Sequence, residues 1–263
     1  MFAVENGSLE AVKILLTHPN IDVNIKNGCD HTALNIAALI NDAKEIEALL
    51  TDSRINVNAQ NYKGETALHI AVDQDHAESV EALLTDSRIN VNAQNYKGET
   101  ALHFAAHLDR LESIDALLAH PRIDVNAQDK DGRTALHFAA LKNYAELIEA
   151  LLARKEILVN TEDSDGRTAL ICAAEKNNLN AMEILLRRED VDVNHQNRAG
   201  ETALMIAVRA NNFDMVKLLL NRNDINLNIK NNNNLTALDI ARENSSDSND
   251  SAIKALLENY QNH

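Results

Sequence analysis

A repeat of 34 residues runs through almost the whole chain and constrains its fold more than any other feature. The tripeptide Thr-Ala-Leu begins at Thr32, Thr66, Thr100, Thr134, Thr168, Thr202 and Thr236. A pair of leucines and an asparagine return at the same interval of 34 residues. Self-similarity at a period of roughly 20–50 residues indicates a stack of small structural units, not a globular fold around one core.

Each repeat is predicted to fold as a turn followed by two short helices. In residues 129–162, Gly132 suits the turn and Thr134 is placed to cap a first helix, ALHFAALK. Asn143 ends that helix, because Gly, Asn and Asp tolerate the left-handed conformation at a helix C-terminus. The second helix, AELIEALLA, carries apolar residues at helical spacing. An extended segment then leads into the next turn.

One position of the first helix is always alanine, which predicts close stacking of neighbouring repeats. The eight alanines are Ala3, Ala37, Ala71, Ala105, Ala139, Ala173, Ala207 and Ala241. A larger side chain at this position would push neighbouring first helices apart. No single repeat can bury its own apolar face, so stability should be a sum over neighbours.

Composition limits the classes of function. The net charge of −15 argues against nucleic acid as a partner, since nucleic-acid binding depends on Lys and Arg neutralising phosphates. No apolar run approaches the roughly 18 residues of a membrane span, and the N-terminus does not resemble a secretory signal. Two cysteines do not make a disulfide framework; Cys172 is expected in the core and Cys29 at the surface. We therefore expect a cytoplasmic monomer that binds neither nucleic acid nor membrane.

Histidines in successive repeats raise the possibility of a metal site. His69, His103 and His137 share one position of the repeat. Packed helices lie about 8–10 Å apart and Zn–N bonds are only about 2 Å long, so these side chains should not share an ion. We expect each histidine to bond the adjacent turn instead. Since no catalytic motif occurs either, the sequence predicts no metal, no cofactor and no enzymatic activity.

The pattern D/N-x-x-G-x-T-A-L-H-x-A, followed by paired leucines and DVN, resembles the ankyrin repeat. The resemblance covers the chain, 1–263, as a single domain with a truncated first repeat (1–26), six full repeats (27–230) and a C-terminal capping repeat (231–263). Three features depart from the family. The period is 34, Ala replaces Pro after Thr, and segments such as HPRI or DSRI replace a Gly after the leucines. The resemblance implies an all-α solenoid of stacked helix-turn-helix units with short β-hairpin-like turns.

A periodic asparagine lies before each turn and is expected to stabilise the hairpin turns. The series is Asn24, Asn58, Asn92, Asn126, Asn160, Asn194 and Asn228. In the family, asparagines at this position can be substrates of an asparaginyl hydroxylase.

The resemblance also implies where a partner would bind. Partners of ankyrin repeats usually contact side chains four, three and one residues before the Thr and seven and eight residues after it. These positions are called the tip face below. The predicted contact residues are Tyr62, Lys63, Glu65, Asp73, Tyr96, Lys97, Glu99, His107, Leu108, Lys130, Asp131, Arg133, Leu141, Lys142, Arg167 and Lys176.

The sequence therefore favours a scaffold or adaptor that binds another protein on its concave face. Many basic residues fall on the tip face of an acidic chain, which suggests an acidic segment of the partner. Two alternatives stay open: a targeting module of a larger enzyme whose catalytic part lies outside this chain, and a purely structural spacer. The Asn-rich repeats also resemble ankyrin effectors that intracellular bacteria deliver into the host cytosol.

Overall fold

The computed structural model describes residues 1–243 and 248–261, which form sixteen α-helices and contain no β-strand. The helices are α1 Phe2–Glu5, α2 Leu9–Leu16, α3 Ala33–Leu39, α4 Ala43–Leu50, α5 Ala67–Asp73, α6 Ala77–Leu84, α7 Ala101–Leu108, α8 Leu111–Ala119, α9 Ala135–Lys142, α10 Ala145–Leu152, α11 Ala169–Glu175, α12 Leu179–Leu186, α13 Ala203–Arg209, α14 Phe213–Leu220, α15 Ala237–Glu243 and α16 Ser248–Gln261. The predicted all-α repeat architecture is confirmed. None of the described helices combines the length and the apolar character needed to cross a bilayer.

The chain divides into an N-terminal unit, Met1–Lys130, and a C-terminal unit, Asp131–His263. In the N-terminal unit the first helices α3, α5 and α7 contact one another in order, and so do the second helices α2, α4, α6 and α8. In the C-terminal unit α9, α11, α13 and α15 form one layer, and α10, α12, α14 and α16 form the other. Each unit is therefore a stack of two helical layers, built by repeating one helix pair.

Local sequence sets both ends of every full first helix. In α5, Thr66 occupies the N-cap with extended backbone, and its N–H donates to Nδ1 of His69 at 3.2 Å. Asparagine, aspartate or glycine follows the first helices α1, α3, α5, α7, α9, α11 and α13 with φ between 53° and 62°, as predicted. These residues are Gly7, Asn41, Asp75, Asp109, Asn143, Asn177 and Asn211.

The alanine position lies where first helices meet. Ala71 and Ala105 in the N-terminal unit, and Ala139, Ala173 and Ala207 in the other, are completely buried. This confirms the prediction of close stacking, because only a methyl group fits between neighbouring first helices.

The HPRI and DSRI segments, which stand where the family has a glycine, hold an arginine that contacts the preceding repeat. Arg88 is paired with Asp86 at 2.5 Å, and its Nη2 donates to the carbonyl of Leu50 at 2.8 Å. That carbonyl belongs to the end of α4, whose last C=O groups have no partner inside the helix. In the C-terminal unit the order is reversed, and Arg222 precedes its carboxylate, Asp224, at 2.8 Å. The guanidinium therefore links each of these loops to the preceding repeat.

The periodic asparagines join successive repeats, which differs from the expected stabilisation of a hairpin turn. Asn58 Nδ2 donates to the carbonyl of Arg88 at 2.9 Å, and its Oδ1 accepts from the N–H of Asn90 at 2.8 Å. Asn24, Asn92, Asn160 and Asn194 make the same pair of bonds to the repeat that follows. In the fold, these asparagines link neighbouring repeats by hydrogen bonds.

The predicted capping repeat ends in a longer second helix. Asp239 replaces the usual histidine and accepts from the N–H of Thr236 at 3.0 Å, so the N-cap of α15 is retained. On α16, Ile253 and Leu257 are buried, and the Tyr260 hydroxyl donates to the carbonyl of Arg222 at 3.1 Å. The polar interruption NSSDSND includes residues 244–247, which lie outside the described residues.

Candidate functional site

The tips of the N-terminal unit are joined by backbone hydrogen bonds. The N–H of Tyr96 donates to the carbonyl of Lys63 at 3.1 Å, and the N–H of Lys130 donates to the carbonyl of Lys97 at 2.9 Å. Glycine permits this approach: at Gly64, where φ is +79°, a Cβ would lie 2.7 Å from the Tyr96 nitrogen. The side chains on these tips therefore have fixed spacing.

A pocket of about 560 Å³ opens between the tips and the first helices α5 and α7. Its lining consists of Lys63, Glu65, Asp73, Asn95, Tyr96, Lys97, Glu99, Phe104, His107 and Leu108. Eight of these ten residues belong to the predicted contact set, so the structure gathers half of that set around one pocket. The volume lies within the range of roughly 300–1,000 Å³ typical of ligand sites.

The sequence prediction missed two residues of the pocket, Asn95 and Phe104. Asn95 is buried and shapes the tip, because its Oδ1 accepts from the N–H groups of Lys97 and Glu99 at 2.8 and 3.0 Å. An Asn or Asp stands at this position in every turn, which was the available signal. Phe104 is half-buried, and its ring forms a T-shaped contact with the His69 ring at a centroid distance of 5.4 Å. Its position in the repeat indicated only a core residue.

The carboxylates of the pocket are held in place by neighbouring amides. Glu65 accepts from Asn61 Nδ2 at 2.9 Å, and Glu99 accepts from Asn95 Nδ2 at 2.9 Å. Only 14% of the Glu65 side chain is exposed. These bonds fix the acidic groups along the inner wall of the pocket and limit their rotamers.

Three lysines lie on consecutive tips at the outer edge of the same surface. Lys63 lies 4.0 Å from Glu65, and its ammonium group is 5.7 Å from the centre of the Tyr62 ring. Lys97 and Lys130 are exposed, and neither has a carboxylate within 4.0 Å among the residues that the structure describes. The tips therefore present positive charge that the N-terminal unit does not neutralise itself.

Exposed apolar side chains occupy the same face. Tyr62 and Tyr96, on neighbouring tips, are 55% and 60% exposed. Leu39 and Ile40, at the end of α3, are also exposed but were absent from the predicted set. They stand seven and eight residues after Thr32, so the register could have identified them.

In the C-terminal unit, the arginines of the predicted set are engaged with carboxylates of the same unit. Arg133 pairs with Asp131 at 2.5 Å, and its guanidinium lies 5.0 Å from the centre of the Phe138 ring. Arg167 pairs with Asp163 at 2.7 Å and with Asp165 and Glu175 at 3.2 Å each. Of the other predicted residues there, Lys142 and Lys176 are exposed and Leu141 is half-buried.

The histidines at the first-helix position have the structural role expected of them. Nε2 of His69 bonds the carbonyl of Glu99 at 3.0 Å, and Nε2 of His137 bonds the carbonyl of Arg167 at 2.9 Å. Burial lowers the pKa of His69 to about 4, so the ring is neutral at pH 7. Within residues 1–243 and 248–261, no three His, Cys, Asp or Glu side chains are grouped to hold a metal ion.

The two cysteines lie where the sequence places them, with Cys29 exposed and Cys172 buried. Burial raises the pKa of the Cys172 thiol to about 12, so it is protonated at pH 7 and a poor nucleophile.

Comparisons with known proteins agree with this geometry. A family model described as "Ankyrin repeats (3 copies)" matches residues 1–95 and 102–197, and one described as "Ankyrin repeats (many copies)" matches residues 185–241. No curated protein sequence matches the chain.

Two solved structures illustrate the structural likeness. The ankyrin repeat domain of Bcl-3, described as a unique member of the IkappaB protein family, superposes with a TM-score of 0.76 at 28% identity. That match covers 83% of this chain and 96% of that domain. The ankyrin repeat protein EF0377 matches with a TM-score of 0.68 at 28% identity, covering 78% of this chain and 99% of that protein.

Proposed function

Because this chain belongs to the ankyrin repeat family, whose repeats form protein-binding modules, we propose that it is a non-enzymatic scaffold or adaptor that binds a partner protein on its tip face. The family relation implies that this face is the concave side of the solenoid. The tip face of the N-terminal unit is the proposed centre of the interface. Cytoplasmic location, the monomeric state and an effector role stay predictions from the sequence.

The row of lysines on the tips carries this proposal. Lys97 and Lys130 stay exposed without an ion pair among the described residues, although the chain has an excess of 15 negative charges. In contrast, Arg133 and Arg167 of the C-terminal unit are neutralised by their own carboxylates. Cations that a chain leaves unpaired at fixed spacing are suited to an acidic segment of a partner, which they would also attract over distance.

The tyrosines give the same surface the apolar contacts that the lysines lack. Tyr and Arg are enriched among residues that dominate binding energy, and a Tyr side chain loses little rotamer freedom on binding. Tyr62 and Tyr96 are more than half exposed and lie beside the lysine row. The proposed interface therefore combines aromatic anchors with a surrounding positive field.

The test compares a triple alanine variant of the full chain with a double alanine control. Both are used as baits in a lysate of the cells that express the protein. The first removes Tyr96, Lys97 and Lys130 from the tip face. The control removes Lys44 and Leu111, an exposed lysine and leucine of the second-helix layer of the same unit. Bound proteins are quantified by mass spectrometry, and folding is checked by circular dichroism.

We expect a set of proteins that the parent and the control retain and the tip variant loses. Their binding should weaken as salt rises, because exposed charges are screened. Retention of the same proteins by the tip variant would refute this location of the interface.

A further inference from the structure

We propose that the pocket between α5 and α7 receives an arginine side chain of the bound partner. The inference rests on the proposed function, because the partner presents the arginine to the tip face. It adds the chemical identity of one anchor residue, and it specifies a site that the lysine row does not explain.

The inner wall of the pocket combines negative charge with aromatic surface. Glu65 and Asp73 come from one repeat and Glu99 from the next, while Phe104 and Tyr96 supply two rings. Each of the three carboxylates receives one side-chain amide bond at 2.8–2.9 Å, which holds it in place without neutralising its charge. Carboxylates beside aromatic rings match a guanidinium, which forms paired hydrogen bonds with the former and stacks on the latter.

The chain itself shows how two of these positions accept an arginine. The residues one before and seven after the Thr face each other within a repeat. In the C-terminal unit this pair is Arg167 with Glu175, at 3.2 Å. In the following repeat it is Glu201 with Arg209, which also form a salt bridge. An arginine at either of these two positions therefore pairs with a carboxylate at the other.

The repeat of Thr66 lacks that guanidinium. Its two positions are both acidic, Glu65 and Asp73. Lys63 lies near this set, with its ammonium 4.0 Å from Glu65. The nearby Arg110 pairs with Asp75 at 3.7 Å and donates to the backbone carbonyl of Asp73, so it does not occupy the pocket. The position that a guanidinium fills elsewhere in the chain is open here to one from a partner.

The lysine row and the pocket together define a pattern in the partner. Lys63 and Lys97 line the pocket and are exposed, whereas the three carboxylates are half-buried. A segment that places one arginine between acidic residues would match both parts. A purely basic segment would be repelled by the lysines, and a purely acidic one would leave the pocket unfilled.

The test titrates the full ¹⁵N-labelled chain with N-acetyl-arginine methylamide and follows backbone amides by NMR. Matched probes are the lysine and citrulline analogues; citrulline keeps the shape of arginine but has no charge. The pocket variant carries Glu65→Gln and Asp73→Asn. The control variant carries Glu112→Gln and Asp115→Asn, two exposed carboxylates on α8.

We expect saturable shifts at the amides of Glu65, Asp73 and Glu99 with the arginine probe. The citrulline probe should give none, and the lysine probe should bind several-fold more weakly. The dissociation constant for arginine should rise at least about fivefold in the pocket variant and stay unchanged in the control.

Three results would overturn the inference: no saturable shift with arginine, equal binding of citrulline or lysine, or unchanged affinity in the pocket variant. The inference and the proposed function can fail separately. Partner capture that depends on Lys97 and Lys130, without arginine binding, would leave the interface standing and remove the arginine site. Arginine binding without tip-dependent capture would do the reverse.

Discussion

Replacing Gly64 by alanine tests whether the tips are held together by direct backbone contact. Gly64 has φ of +79°, and an added Cβ would lie 2.6 Å from Tyr96 Cδ1 and 2.7 Å from its backbone nitrogen. The backbone of the next tip must therefore move. That movement would break the 3.1 Å bond from the Tyr96 N–H to the Lys63 carbonyl.

The expected cost follows from three contributions. Left-handed backbone costs an alanine about 1–2 kcal/mol. Overpacking against fixed backbone costs about 1–3 kcal/mol, and a lost hydrogen bond about 0.5–1.5 kcal/mol. Because these terms overlap when the tip moves, we expect the unfolding free energy to fall by about 2–5 kcal/mol.

Two other glycines provide matched controls. Gly7 also has positive φ, +61°, but an added Cβ meets nothing within 4 Å, so Gly7→Ala should lose only the conformational term of about 1–2 kcal/mol. Gly28 has neither feature, so Gly28→Ala should cost almost nothing. All three changes reduce the freedom of the unfolded chain alike, so this effect cancels in the comparison.

The assay is urea unfolding followed by circular dichroism, with hydrogen exchange measured at the Tyr96 amide. We expect the largest fall in midpoint and faster exchange for Gly64→Ala alone. Equal midpoint shifts for Gly64→Ala and Gly7→Ala, with unchanged exchange at Tyr96, would show that the tips do not depend on this contact.

Three further predictions concern the core. Burial lowers the pKa of His69 to about 4. Because the unfolded chain takes up this proton at a higher pH than the folded chain does, the free energy of unfolding should fall by about 3 kcal/mol as the pH falls from 6.5 to below 4. His69→Asn, which copies Asn35 at the equivalent position, should flatten that part of the stability–pH curve; equal curves would contradict the assignment. Glu45 is buried with no hydrogen-bond partner for its carboxylate, and burial and Asp42 raise its pKa. Ionisation therefore destabilises the fold above the ordinary pKa of a glutamate. Glu45→Gln, which keeps the shape of the side chain and removes its charge, should raise the urea midpoint at pH 7.5 and raise it less at pH 4.5; a uniform gain would refute the electrostatic cause. Ala71→Leu should lower the midpoint by the equivalent of about 1–3 kcal/mol through overpacking between first helices, and an unchanged midpoint would mean that the stack can widen there.

The sequence alone determined the repeat, its helices and the residues that begin and end them. These features depend on interactions within about four residues. Examples are the capping box that Thr66 and His69 form at the start of α5 and the left-handed conformation of Asn143. Close stacking was also predictable, because a position that is always alanine leaves room for no larger side chain. The register of the repeat then located most residues of the tip face, including the eight that line the pocket.

Only the tertiary structure decided which of those residues are available to a partner. Arg167 and Lys97 both belong to the predicted contact set, but Arg167 is paired with three carboxylates whereas Lys97 is exposed. Phe104 and Phe138 occupy the same position, but Phe104 lines the pocket and Phe138 is buried beneath Arg133.

The physical reason is that pairing and exposure depend on distances between side chains that are far apart in sequence. Asn58 shows this directly, since its two partners lie 30 and 32 residues ahead, in the next repeat. The period shows which positions are equivalent, and so which side chains can meet across repeats. Which of them do meet is decided by the particular side chains of neighbouring repeats and by the spacing that stacking imposes on them.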